Sequence, residues 1–99
     1  MEAIKEKYRR IRGMMLKLLA VEHPRPVDSK VLYVLLDDLA RSISDEEFSS
    51  HLVYLEEKGL VKREKRGTTG VRIEMITITP SGLDVLDGFK PECGVDTNF

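Results

Sequence analysis

Residues 44–83 read SDEEFSSHLVYLEEKGLVKREKRGTTGVRIEMITITPSGL, and two periodicities meet inside this stretch. Phe48, Leu52 and Leu55 recur four and three residues apart, which places them on one stripe of a helix. Ser44, followed three residues later by Glu47, spells a capping box. Gly59 supplies the left-handed residue that commonly ends a helix. These signals predict a helix from Asp45 to about Lys58. The period then changes. Leu60 to Lys65 is short and β-like, Arg66 to Gly70 carries two glycines and reads as a turn, and Val71 to Thr79 reads as a strand. Val71, Ile73 and Met75 alternate with Arg72 and Glu74. The alternation slips at Met75-Ile76, either through a bulge or because the strand is covered on both faces there. Thr79-Pro80 opens a further helix, with Thr as cap and Pro at the first helical position, lined by Leu83, Leu86 and Phe89.

Upstream, Ile4, Tyr8, Ile11, Met15 and Leu18 keep helical spacing. A helix from Ala3 to Val21 is about 28 Å long at 1.5 Å per residue, longer than a compact three-helix core requires. Ile11 onward is expected in the core. The excess stripe, Ile4, Tyr8 and Ile11, is the expected homodimer contact. Pro24 and Pro26 stop this helix. Asp28 or Ser29 caps a second one, in which Val31, Leu32, Leu35, Leu36 and Leu39 read as one broad apolar face. Arg41-Ser42-Ile43 forms a short turn. Residues 90–99 hold Pro91, Gly94 and few apolar side chains, and read as a loose tail on a domain spanning 1–89.

The composition fits a single globular α+β domain: 99 residues, 41% hydrophobic and 33% charged. No apolar run approaches the roughly 20 residues that span a bilayer. The N-terminus is charged from its second residue and lacks a signal-peptide core, so a cytoplasmic location is expected. One cysteine, Cys93, and two distant histidines give neither a disulfide framework nor metal-ligand spacing, so neither metal nor cofactor is expected. The adjacent pairs Asp37-Asp38 and Glu56-Glu57 diverge on helices. Cys93 has no fixed base, and Ser81 has no triad partners. No constellation supports an enzyme. His51 borders the apolar stripe and reads as a packed, hydrogen-bonded side chain.

Three helices, then two strands joined by a glycine turn, then a last helix, form the order of a winged helix-turn-helix. The stretches Phe48 to Val61, ending x-L-x-x-L-x-x-x-G-L-V, and Ile76 to Asp84, running through T-P-S-G, resemble that family over roughly residues 10–89. The stretch Gly82 to Phe89, with the tail after it, resembles small winged-helix proteins of Mu-like prophages. The resemblance implies a three-helix core containing a helix-turn-helix, a two-stranded β wing and a C-terminal helix. It also implies a small DNA-binding regulator of phage or bacterial type.

Charge patterning shows where double-stranded DNA would be met. The net charge of −1 conceals alternation: residues 1–22 and 62–79 each carry net +3, while 23–61 and 80–99 carry −4 and −3. Lys62, Arg63, Lys65, Arg66 and Arg72 cluster around the expected hairpin and suit phosphate contacts. Ser50 and Tyr54 are the polar candidates on the outer face of the third helix. Glu46, Glu47 and Glu57 share that face and oppose entry into a major groove. The alternative is a protein-interaction module that uses Val53 and Tyr54 with their acidic rim.

Overall fold

The computed structural model describes residues 2–40 and 42–98, and of Glu2 the backbone alone. Arg41, in the expected turn, and Phe99, in the expected tail, lie outside the described residues. The chain runs α1 (Glu2–Glu22), β1 (Val27–Asp28), α2 (Ser29–Ala40), α3 (Asp45–Glu57), β2 (Val61–Thr68), β3 (Val71–Ile78) and α4 (Pro80–Leu86). The architecture is α+β: four helices with a three-stranded antiparallel sheet in the order β1-β3-β2. Two strands were expected. The third, β1, is two residues long and pairs Val27 with Ile76 and Asp28 with Met75. A two-residue strand has no period to read.

Local chemistry sets the element ends. The Asp28 carboxylate accepts from the Lys30 amide and caps α2. At α3 the Ser44 hydroxyl accepts from the Glu47 amide while the Glu47 carboxylate accepts from the Ser44 amide. The far end of α3 is a Schellman turn. Leu60 N–H donates to Leu55 C=O and Gly59 N–H to Glu56 C=O, with Gly59 at φ +74°. Leu55 and Leu60, one at each end of that turn, are fully buried. At α4 the Thr79 hydroxyl accepts from the Gly82 amide, and Pro80 takes the first helical position.

The core forms where α1, α2, α3 and the sheet converge on Ile11, Leu16, Leu32, Leu36, Leu52 and Ile76. Truncating one of these to Ala costs about 2–5 kcal/mol. The ladder between β2 and β3 runs one to one from Val61↔Ile78 to Thr68↔Val71, with no bulge. The slip at Met75-Ile76 is a change of face. Ile76 and Ile78 point into the core, whereas Val71, Ile73 and Met75 lie on the opposite side, where Met75 is half-buried. The strands continue past the expected turn boundaries, so the loop is only Thr69-Gly70.

Three further expectations are corrected. α2 does not bury one broad face: Leu32 and Leu36 are in the core, but Val31, Leu35 and Leu39 are exposed. Phe89 lies past the end of α4, after Gly88, and is 79% exposed rather than lining the helix. Residues 90–98 are docked instead of loose. Val95 is buried against the core, and the Asp96 amide donates to the Arg9 carbonyl. Among the described residues no helix is long and apolar enough to cross a membrane.

Candidate nucleic-acid interface

Strand alternation divides the hairpin cations between two faces. Arg63 and Lys65 on β2, with Arg72 and Glu74 on β3, lie on the side of the sheet that carries the buried Val61, Ile76 and Ile78. Lys62, Glu64 and Arg66 lie on the other side. The five are therefore not one patch. Arg63 is committed: its guanidinium donates to Glu74 at 2.9 Å and sits 3.6 Å from Glu56. Arg66 donates to Glu64 at 3.3 Å. Lys62, Lys65 and Arg72 are exposed and have no ion-pair partner among the described residues.

A cleft opens between the hairpin and the start of α2, lined by Lys30, Lys65, Arg66, Arg72, Asp28 and Glu74 among others. Pairing of β1 with β3 draws Lys30 into it. Both carboxylates are engaged, Glu74 by Arg63 and Asp28 by the Lys30 amide. Lys30, Lys65 and Arg72 have no ion-pair partner there among the described residues. The Asp28 carboxylate, bonded only to a neutral amide, keeps its charge and offsets the partial positive charge at the N-terminal end of α2. Lys30 has no counterpart among the sequence-derived candidates. The contact that recruits it is the two-residue β1, which leaves no pattern in the sequence.

The outer face of α3 has the opposite character. Asp45, Glu46, Ser49, Ser50, Val53 and Glu57 border a shallow open depression closed at one side by Arg12 and Tyr54. α3 contains no Lys or Arg. Glu47 is held in the capping box, with Lys7 at 3.7 Å. Ser50 and Val53 are exposed. Tyr54 is not presented as a free contact, because Arg12 stacks on its ring at 3.8 Å and its hydroxyl donates to Glu92 at 3.3 Å. Burial, and then the Glu92 charge, raise its phenol pKa.

Arg12 is the centre of that junction. Its Nε donates to His51 Nδ1 and a terminal nitrogen donates to Gly94 C=O, both at 3.2 Å. Arg9 Nε donates to Cys93 C=O at 2.7 Å. Gly94 lies so close to the Tyr54 hydroxyl that a Cβ there would collide with it. His51 is 2% exposed, with no hydrogen-bond partner for Nε2 among the described residues. Burial, and then the Arg12 charge, lower its pKa to about 4, so it is neutral at pH 7. Neutral Nδ1 is therefore the acceptor for Arg12, and Nε2 carries the proton.

The expected dimer stripe does not survive as a surface. Ile11 is 2% exposed and belongs to the core, since α1 is roofed there by the rest of the chain. Tyr8 packs edge-on against His51, with ring centroids 5.1 Å apart. Ile4 alone remains substantially exposed. No known protein family matches the chain, and no curated protein matches it.

Proposed function

We propose that the protein is a small winged-helix DNA-binding regulator that meets the duplex backbone through its hairpin. The element order, and a sheet in which β3 lies between β1 and β2, support the winged-helix reading. The observation that carries the DNA reading is the hairpin–α2 cleft, where Lys30, Lys65, Arg66 and Arg72 outnumber the carboxylates Asp28 and Glu74 and where Glu74 is already paired with Arg63. Phosphates at that position gain from each cation and release condensed counterions. α3 carries only acidic and neutral side chains outward, so it lies alongside the duplex rather than deep in a major groove. Binding of this kind selects DNA over other partners by charge and shape more than by base sequence.

The test is a fluorescence-anisotropy titration of a random duplex at several salt concentrations. Lys65→Ala with Arg72→Ala flattens the plot of log affinity against log salt by about two units, and Lys30→Ala by about one more. A wild-type slope that these substitutions leave unchanged removes the hairpin as the phosphate contact. Absence of any binding at low salt removes the DNA reading. It leaves the second reading, a protein-interaction module on the acidic α3 face, which the lack of any cation on α3 favours.

A further inference from the structure

The side of α2 turned away from the core carries exposed apolar side chains that no other described residue covers. Val31 is 51% exposed, Val34 64%, Leu35 46% and Leu39 57%, and Val21 at the end of α1 is 78% exposed. On a helical projection Val31, Leu35 and Leu39 form one stripe four residues apart, and Lys30, Val34 and Asp38 form the stripe beside it. A groove between α1 and α2 runs along the first stripe, with Leu18, Val21, Pro26, Val31 and Leu35 in its walls.

We infer that this face is an isologous interface, on which a second copy of the chain packs α2 against α2 in antiparallel fashion about a two-fold axis. Two observations select that occupant. The first is charge. Lys30 and Asp38 lie at opposite ends of the patch, both exposed, and neither has an ion-pair partner among the described residues. A two-fold axis at the level of Val34 and Leu35 reverses one helix against the other. Lys30 of each copy then stands by Asp38 of the other, so the pair forms twice. In a parallel arrangement Lys30 would face Lys30 and Asp38 would face Asp38. The same operation lays Leu39 of the second copy beside Val31 at the mouth of the groove, while Val34 and Leu35 pack at the centre.

The second observation is area. A standard interface takes about 800 Å² from each partner and a homodimer interface is about 65% apolar, a demand of about 500 Å² of apolar surface per copy. The five aliphatic side chains, between 46% and 78% exposed, meet that demand only when all are covered together, as the antiparallel packing of α2 on α2 with Val21 at the groove end does. The hairpin cations Lys62, Lys65 and Arg72 lie outside this patch, so pairing leaves them open on both copies. The Asp38 pair, in contrast, draws Lys30 away from the cleft, so the salt-slope change of Lys30→Ala is expected of the monomer at low concentration and not of the dimer.

Sedimentation equilibrium from low micromolar to sub-millimolar protein tests the interface. The wild type is expected to dimerise in that range. Leu35→Glu weakens the dimer at least about tenfold while the circular dichroism stays unchanged, since Leu35 lies outside the core. Lys30→Glu and Asp38→Lys each weaken it several-fold, and the double exchange restores it, because the reversed pair is again complementary. These charge variants are surface changes that leave the fold intact even if Leu35→Glu does not. A wild type that stays monomeric throughout overturns the inference. So does a dimer indifferent to Leu35→Glu, a double exchange that does not recover, or a dimer lost only on changing Ile4.

Discussion

The hairpin and the junction of α1, α3 and the C-terminal segment are both rich in cations, and they use them differently. At the junction Arg12 is consumed by the fold: one edge meets His51, another meets the Gly94 carbonyl, and its face lies on Tyr54. At the hairpin Arg63 and Arg66 are paired, and Lys65 and Arg72 have no ion-pair partner among the described residues. A basic residue therefore signals a partner by what it lacks, and a count of positive charges cannot show that. The same holds for Tyr54, an exposed-looking polar aromatic by helical phase that is stacked and hydrogen-bonded within the chain.

The largest effect expected at the junction is a dependence of stability on pH. His51 has a pKa of about 4 in the folded chain, and an unfolded histidine titrates near 6.5. Between those values only the unfolded chain takes up the proton. Stability is thus full above pH 6.5 and falls as pH drops towards 4, by on the order of 3 kcal/mol at most for this group. Urea unfolding of the wild type and of His51→Gln across that window isolates the contribution, since Gln keeps an acceptor for Arg12 but cannot titrate. Equal slopes for the two proteins would mean that His51 is not held neutral by the fold.

Next in size is the removal of Arg12. Arg12→Met keeps much of the aliphatic stem but loses two hydrogen bonds and the cation on Tyr54, for a loss of about 2 kcal/mol. The C-terminal segment should loosen with it, read as faster hydrogen exchange at the Asp96 amide, which donates to the Arg9 carbonyl. Arg72→Ala, the matching change at the hairpin, should alter stability by less than about 0.5 kcal/mol. Similar losses at the two sites would erase the distinction between structural and available cations.

How far the sequence carried this picture follows from the range of the forces involved. Caps and breaks were legible because they are local. Ser44 with Glu47, Gly59, and Thr79 with Pro80 each act within a few residues, and each sits at the helix end it was read to mark. The stripe of α3 was legible because Phe48, Leu52 and Leu55 repeat a period. What escaped was contact between distant segments. β1 is too short to show alternation, yet it brings Lys30 to the cleft. The C-terminal segment looked loose because it has few apolar residues. A single buried Val95 helps hold it, with the Arg9 and Arg12 guanidinium groups donating to the Cys93 and Gly94 carbonyls and the Asp96 amide donating to the Arg9 carbonyl. α2 misled for the opposite reason: it has more apolar residues than the core can take, and the surplus lies outside.

The smallest effect concerns the acidic face of α3, and it decides how close that helix comes to DNA. Glu46 and Glu57 border the depression there, and neither belongs to an ion pair or cap among the described residues, unlike Glu47 and Glu56. Glu46→Gln with Glu57→Gln removes two negative charges and leaves the capping box whole. A helix lying alongside the duplex keeps these carboxylates within about a Debye length of phosphate, roughly 10 Å at 0.1 M salt, where repulsion is partly screened. The double variant is then expected to bind random duplex a few-fold more tightly, and the gain should shrink as salt rises. A gain of a hundredfold or more would place α3 in the groove itself, with carboxylates directly opposing phosphates. An affinity that does not change would place α3 away from the duplex, with the hairpin and the start of α2 as the whole contact and the acidic face left to a protein.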